Sequence, residues 1–325
     1  MQTNFIKSSY KVVNRRHIRV KVMQSIYAMH QNGSDNMEKE EKFLFYSIDN
    51  IQDLYLTMIS SLMEICKKEK EFLHKSSLKH LATPAERNPN EKFINNSVFQ
   101  ILAENNSLSI AMENRKIDAW TLHDDYIVLL LNAVKASKFY ADYMRTAERS
   151  FEEDKQLIVD LFTEIIVPNE KLYEYLEDDK LTWIDDIPLV NTQIIKQLKA
   201  LKPLENDNFT VPKVYKDSED KEYARDLFRK TILNEAALAK EFVDKTPNWD
   251  SERIAEVDTI ILKMAICEFL KFPSIPVKVT LNEYLELAKE YSTPKSSIFI
   301  NGILDNLVKE LEASKKLVKT GRGLM

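Results

Sequence analysis

FPSIPVKVTLNEYLELAKEYSTPKSSIFINGILDNLVKELE, residues 272–312, is the stretch whose reading decides the fold. Pro273 and Pro276 stop one helix, because proline lacks the N–H that a helix interior uses. Leu281, Leu285, Leu287 and Ala288 then give a short amphipathic helix. Thr293 followed by Pro294 is a start signal, a capping side chain and then a proline at the first helical position. Ile300, Ile303, Leu304, Leu307, Val308 and Leu311 continue as a helical stripe. Asn301 and Gly302 would mark a hairpin between strands, but the period on both sides is helical. Gly302 is the only glycine between residues 34 and 320, and inside a helix it costs about 1 kcal/mol relative to alanine. A chain that otherwise avoids glycine is expected to need close approach there, from a packed helix in the plain reading and from a ligand backbone in the sharper one.

The same scarcity holds for the whole chain, whose four glycines are Gly33, Gly302, Gly321 and Gly323. Tight hairpins, phosphate-cradling loops and nucleophile elbows all consume glycine, so the expected fold class is all-α. No GxxxxGK, GxGxxG or GxSxG can be written, which removes whole classes of enzyme. With 325 residues, 44% of them hydrophobic, the chain can bury a sizeable core in one large or two modest domains. Cys66 and Cys267 are isolated, and the five histidines lack any HExxH or paired-Cys context, so no metal site is expected. Acid-rich SFEEDK and YLEDDK read as solvated faces and helix ends, leaving no catalytic residues and no cofactor to assign. Two thiols without a framework suit a reducing compartment, and there is no apolar run of about 18 residues. The expectation is a cytoplasmic protein without a membrane partner.

Helical periodicity covers about 15–31, 37–73, 91–112, 122–150, 153–179, 189–201, 220–244, 252–271, 279–291 and 294–316. Pro203, Pro212 and the Asn/Asp cluster between them mark 202–218 as a linker. The middle of the chain also repeats itself. EDKQLIVDLF from Glu153 and EDKEYARDLF from Glu219 match at an offset of 66, which carries Trp183 onto Trp249; one residue later VNTQIIK from Val190 lies over VDTIILK from Val257. We read residues 152–201 as a degenerate copy of a helical hairpin at 219–271; the alternative is that two hairpins share a core pattern because both must bury one. The resulting organisation is a flexible leader 1–13, a basic helix region 14–35, a helical region 36–151, the degenerate hairpin 152–201, the linker, a helical domain 219–314 and a basic tail 315–325.

The other end of the chain is basic. Lys7, Lys11, Arg15, Arg16, Arg19 and Lys21 all precede the first acid, Asp35, in a chain of net charge -5. Within NRRHIRVKVMQSIYAMH, residues 14–30, Ile18, Val22, Ser25, Ile26 and Met29 form one helical side, while Arg16, Arg19, Met23 and Tyr27 gather on a neighbouring arc. Arginine pairs with phosphate and an aromatic offers a base its face, the two contacts that single-stranded nucleic acid requires. A solvated helix face is the competing reading.

Taken together, RRHIRVKVMQSIY, then RIAEVD, IPVKVTLNE, AK and FINGILD in that order, resemble the NusB family of transcription antitermination factors. The resemblance covers about residues 14–31 and 219–312. It implies two small helical bundles, here with an extended inserted helical region containing the degenerate hairpin repeat. It further implies a non-enzymatic RNA-binding protein that takes boxA-type single-stranded RNA of nascent rRNA transcripts. The implied partners are the ribosomal protein NusE and, indirectly, other Nus factors and RNA polymerase. On this resemblance Arg15, Arg16, Arg19, Tyr27, Lys278, Lys295, Phe299 and Asn301 are expected to contact RNA. Asp258, Lys263 and Glu268 are expected to face the ribosomal protein. Lys295 stands where the family often has an acid, a departure that favours phosphate. Family members are commonly less than half this length, so 36–218 holds an insertion. Rival readings are a helical interaction scaffold, or the RNA-binding part of an RNA cytosine methyltransferase.

Overall fold

The computed structural model describes residues 12–146, 149–203, 209–243 and 255–324. Among these the chain is helical without a strand: α1 Arg15–Gln31, α2 Met37–Ser77, α3 Pro84–Arg87, α4 Ser97–Ala103, α5 Asn106–Arg115, α6 Ala119–Leu122, α7 Asp124–Ala136 and α8 Lys138–Arg145. There follow α9 Phe151–Asp160, α10 Glu170–Asp179, α11 Ile187–Ala200, α12 Ser218–Leu233, α13 Glu235–Val243, α14 Glu256–Lys271, α15 Val277–Tyr291 and α16 Pro294–Ala313. The Thr293-Pro294 start is as expected, with the Thr293 hydroxyl accepting from the Ser296 N–H at 3.2 Å.

Several stretches expected as single helices are broken. Asn105 divides 91–112 and caps α5 through the Leu108 N–H at 2.8 Å. Ser137 divides 122–150, its hydroxyl accepting from the Tyr140 N–H. A π-helical segment, Leu161–Ile166, and the Asn169 cap of α10 divide 153–179. Short polar side chains offer the backbone N–H a local partner that competes with helix continuation. Apolar periodicity carries no trace of that competition.

The chain forms two units. A terminal unit comprises residues 13–48 and those from 215 onward, and a middle unit comprises Val12 with residues 49–214; the boundary at Ile48 falls inside α2, where no break in composition marks it. In the terminal unit α1, α12, α13, α15 and α16 all pack on α14. Ile260, Ile261, Leu262, Met264, Ala265, Ile266 and Phe269 of α14 are buried. A helix apolar on every side belongs at the centre of a bundle. In the middle unit α9 takes that place against α4, α8 and α11. Its indoles are tied in, Trp120 Nε1 donating to Thr57 O and Ser60 Oγ at 3.0 Å, and Trp183 Nε1 to Asn50 O at 2.9 Å. Burial pushes the thiols of Cys66 and Cys267 up to about 11, leaving neither a ready nucleophile.

The two units share one detail at positions related by the offset of 66. Asp220, in the first turn of α12, accepts from Arg15 just after the Asn14 cap of α1. Asp154, in the first turn of α9, accepts from the N–H and hydroxyl of Ser97 just after the Asn96 cap of α4, both at 2.8 Å. We take this as support for the duplication. Trp249 lies outside the described residues, as do the leader through residue 11 and parts of the linker and the second hairpin.

Candidate nucleic-acid interface

The Asn14 side chain accepts from the N–H groups of Arg16 and His17 and starts α1 there. This places arginines in a first turn that holds no acid of its own. Cations are unfavourable at the positive end of a helix dipole, and neighbouring helices supply the compensation. From α12, Asp220 takes Arg15 Nε at 3.1 Å, with Glu219 at 3.9 Å. From α15, Glu283 takes Arg16 through Nε and Nη2 at 3.0 and 3.1 Å. This pairing, set by the Glu283 hydrogen bond, raises the Arg16 guanidinium above its ordinary value.

Arg19 lies one turn further along, with a side chain only 3% exposed. Its Nε and Nη2 hold both oxygens of Glu268 at 3.0 and 2.8 Å. Tyr223 Oη at 2.6 Å, Thr280 Oγ1 at 2.7 Å and Tyr284 Oη at 3.3 Å donate to the same carboxylate. Burial works to raise the Glu268 carboxyl, but the Arg19 charge and the hydrogen bonds outweigh it and hold it below the ordinary glutamate value.

An open cleft of about 850 Å³ brings Arg15, Arg16 and Arg19 together with the turn before α15, Ser274 to Pro276, and with Glu283, Glu290 and Arg322. Arg15, Arg16 and Arg19 are each paired with a carboxylate, Asp220, Glu283 and Glu268, so an anion enters the cleft by exchanging for an acid at Arg15 or Arg16, or at Arg322.

The NusB family model matches residues 190–309. Over 110 residues the chain is 43% identical to the "Transcription antitermination protein NusB" of Salinibacter ruber, covering 34% of this chain and 68% of that protein. This chain belongs to the NusB family. The protein of the same name from Koribacter versatilis is 39% identical over 100 residues, 31% of this chain and 68% of its own length; that from Chloroherpeton thalassium is 37% identical over 112 residues, 34% and 53% respectively. No solved structure matches the chain. The family match starts at Val190 in α11 and excludes α1, so most of the middle unit, which begins at residue 49, lies outside the part this NusB chain shares with the family model.

Of the eight residues expected at RNA, the cleft gathers Arg15, Arg16 and Arg19. Arg19 is inside the fold, so its role is to position Glu268 and the helices around it, a correction to its expected phosphate contact. Tyr27 is 39% exposed and shares the Arg16 face of α1, about 16 Å further along at 1.5 Å per residue. Lys278 is exposed two residues after Pro276, and Lys295, also exposed, opens α16 with Phe299 and Asn301 half-buried beyond it. None of these five lines the cleft.

The expected partner face is also revised. Asp258 and Glu268 are buried, and Lys263 is held by Glu235 at 2.6 Å. A carboxylate at the centre of a bundle, spent on an internal arginine, is not offered to a partner. The all-round apolar run TIILKMAICEFL was the sequence signal for this burial. Glu283 and Arg322 were missed. Glu283 sat inside a recognised motif, but only tertiary packing pairs it with Arg16.

Gly302 also departs from its plain reading. A Cβ built there meets nothing within 4 Å, so no packed helix demands the glycine. Gly302→Ala is expected to stabilise the protein by up to about 1 kcal/mol, measured as a rise in denaturation midpoint. A fall would show an unseen crowding of the helix.

Proposed function

We propose that this NusB-family chain is a non-enzymatic transcription antitermination factor that binds boxA-type single-stranded RNA of nascent rRNA transcripts together with the ribosomal protein NusE, in the cytoplasm. The observation that carries this reading is the cleft in which α1 sets Arg15 and Arg16 beside the start of α15. These two arginines neutralise phosphates on exchanging Asp220 and Glu283 for RNA. Lys278 and Lys295 extend the positive surface, while Tyr27 and Phe299 stack bases and Asn301 offers a polar edge. The names of the relatives support the antitermination role. Other Nus factors and RNA polymerase are engaged through the resulting complex.

The test is a titration of labelled boxA-type RNA at several salt concentrations, with and without NusE. Each phosphate contact contributes about 0.7 to the salt slope for a single strand. Arg15→Ala with Arg16→Ala is therefore expected to flatten the slope by about 1.4 and to weaken binding about 25-fold at 0.1 M salt. NusE should tighten the wild-type complex. Unchanged affinity and slope in the double variant would remove the cleft from RNA recognition.

A further inference from the structure

We propose that the segment after α16 completes this cleft, with Arg322 as the guanidinium that takes the first RNA phosphate. The inference rests on the RNA reading above and concerns residues beyond the family match, which ends at residue 309.

The segment is fastened rather than trailing. Lys315 takes a left-handed backbone with φ 55°, and the N–H groups of Lys316 and Leu317 return to Leu311 O at 2.9 and 3.2 Å, turning the chain back after α16. Lys319 then reaches the end of α14, its Nζ donating to Phe272 O at 3.1 Å and Glu268 O at 3.3 Å. A lysine there satisfies carbonyls that the helix leaves open and meets the negative end of its dipole. The Thr320 N–H donates to Pro273 O at 3.0 Å. Gly323 lies so close that a Cβ would stand 2.0 Å from the same Pro273 oxygen. Only glycine allows this approach, and it seats Arg322 beside Pro273, at the turn that forms the cleft wall.

Arg322 differs from the other guanidinium groups of the cleft. Arg15 is paired with Asp220, Arg16 with Glu283 and Arg19 with Glu268. An incoming phosphate must displace a carboxylate to reach any of these. Arg322 is exposed, and it has no carboxylate partner among the described residues. It therefore accepts phosphate without breaking an ion pair, and holds the strand while Arg16 exchanges Glu283 for a second phosphate.

The experiment is fluorescence anisotropy of a boxA-type RNA oligonucleotide with the full chain, over a salt series, for wild type, Arg16→Ala, Arg322→Ala and Gly323→Ala. Arg322→Ala is expected to flatten the slope by about 0.7 and to weaken binding about fivefold at 0.1 M salt. Its melting temperature should stay unchanged, because the exposed Arg322 side chain makes no hydrogen bond or ion pair among the described residues. Gly323→Ala is expected to weaken binding similarly while retaining every charge. Wild-type binding that is weakened by Arg16→Ala but untouched by Arg322→Ala would overturn the role of the segment and leave the RNA reading standing. Absence of RNA binding by wild type would overturn both. Should Gly323→Ala lower the melting temperature, Arg322→Ala decides alone.

Discussion

Arg19→Ala is expected to destabilise the terminal unit by about 3–5 kcal/mol, the cost of removing one partner from a buried ion pair. The variant leaves the Glu268 carboxylate enclosed among Tyr223, Thr280 and Tyr284, hydrogen-bonded but without a counter-charge. Hydrogen exchange followed on peptides of α14 should report early loss of protection there, while peptides of α9 in the middle unit hold theirs. Undiminished α14 protection would sink the buried pair. The same site sets a pH dependence. Glu268 has a depressed folded-state pKa, so its contribution is complete above the ordinary value of 4.5 and is lost as pH falls through the lower folded value. Wild type should thus lose stability on that acid flank, and Glu268→Gln should be less stable at neutral pH yet flatter across it. RNA affinity per folded molecule should change little in Arg19→Ala, which separates a positioning role from a phosphate contact.

Asp154→Ala is expected to cost the middle unit about 3 kcal/mol. Its carboxylate accepts from Ser97 N and Oγ, and from Tyr143 Oη at 2.6 Å. Burial, and next the Asp154 hydrogen bond, push the Tyr143 phenol up, so it keeps the proton it donates. Each buried donor left unsatisfied costs about 1–3 kcal/mol. Trp120 and Trp183 are buried in this unit and supply the readout by fluorescence. A midpoint within experimental scatter of wild type would show that the Asp154 cluster does not hold α4 to α9. Asp220→Ala is the matching change in the terminal unit; if the duplication is real, both variants should loosen the helix that follows the Asn cap, α4 in one unit and α1 in the other.

Fold class was legible because glycine scarcity and helical stripes are properties of the chain itself. α1 and α16 appeared with starts at Arg15 and Pro294; Thr293 advertised its cap in the sequence, while the Asn14 cap came to light only in the structure. The breaks at Asn105 and Ser137 were not legible from periodicity, because the apolar period runs across them while a single side-chain bond ends the helix. The candidate site was legible as a set of residue types and illegible as a geometry. Arg16 and Arg19 occupy one helical arc and both line the cleft, yet packing against α14 buries the Arg19 side chain and leaves that of Arg16 open to solvent. Glu268 and Glu283 are both acids on terminal-unit helices, and only the contacts of α1 decide that each is an arginine partner. Arg322 sat in a basic tail whose anchoring depends on the missing Cβ of Gly323 and the carbonyl of Pro273, which residue spacing does not reveal.

Gly302 sets a trap for anyone improving this protein. Its neighbourhood is empty, so a screen for heat tolerance will accept almost any good helix former there and reward it. A screen for antitermination in cells imposes a different filter, felt only when another molecule comes up against that bare stretch of α16. Running the two screens in parallel on a saturation library at position 302 would show whether the glycine is neutral ballast or a place where sturdiness is given up for contact.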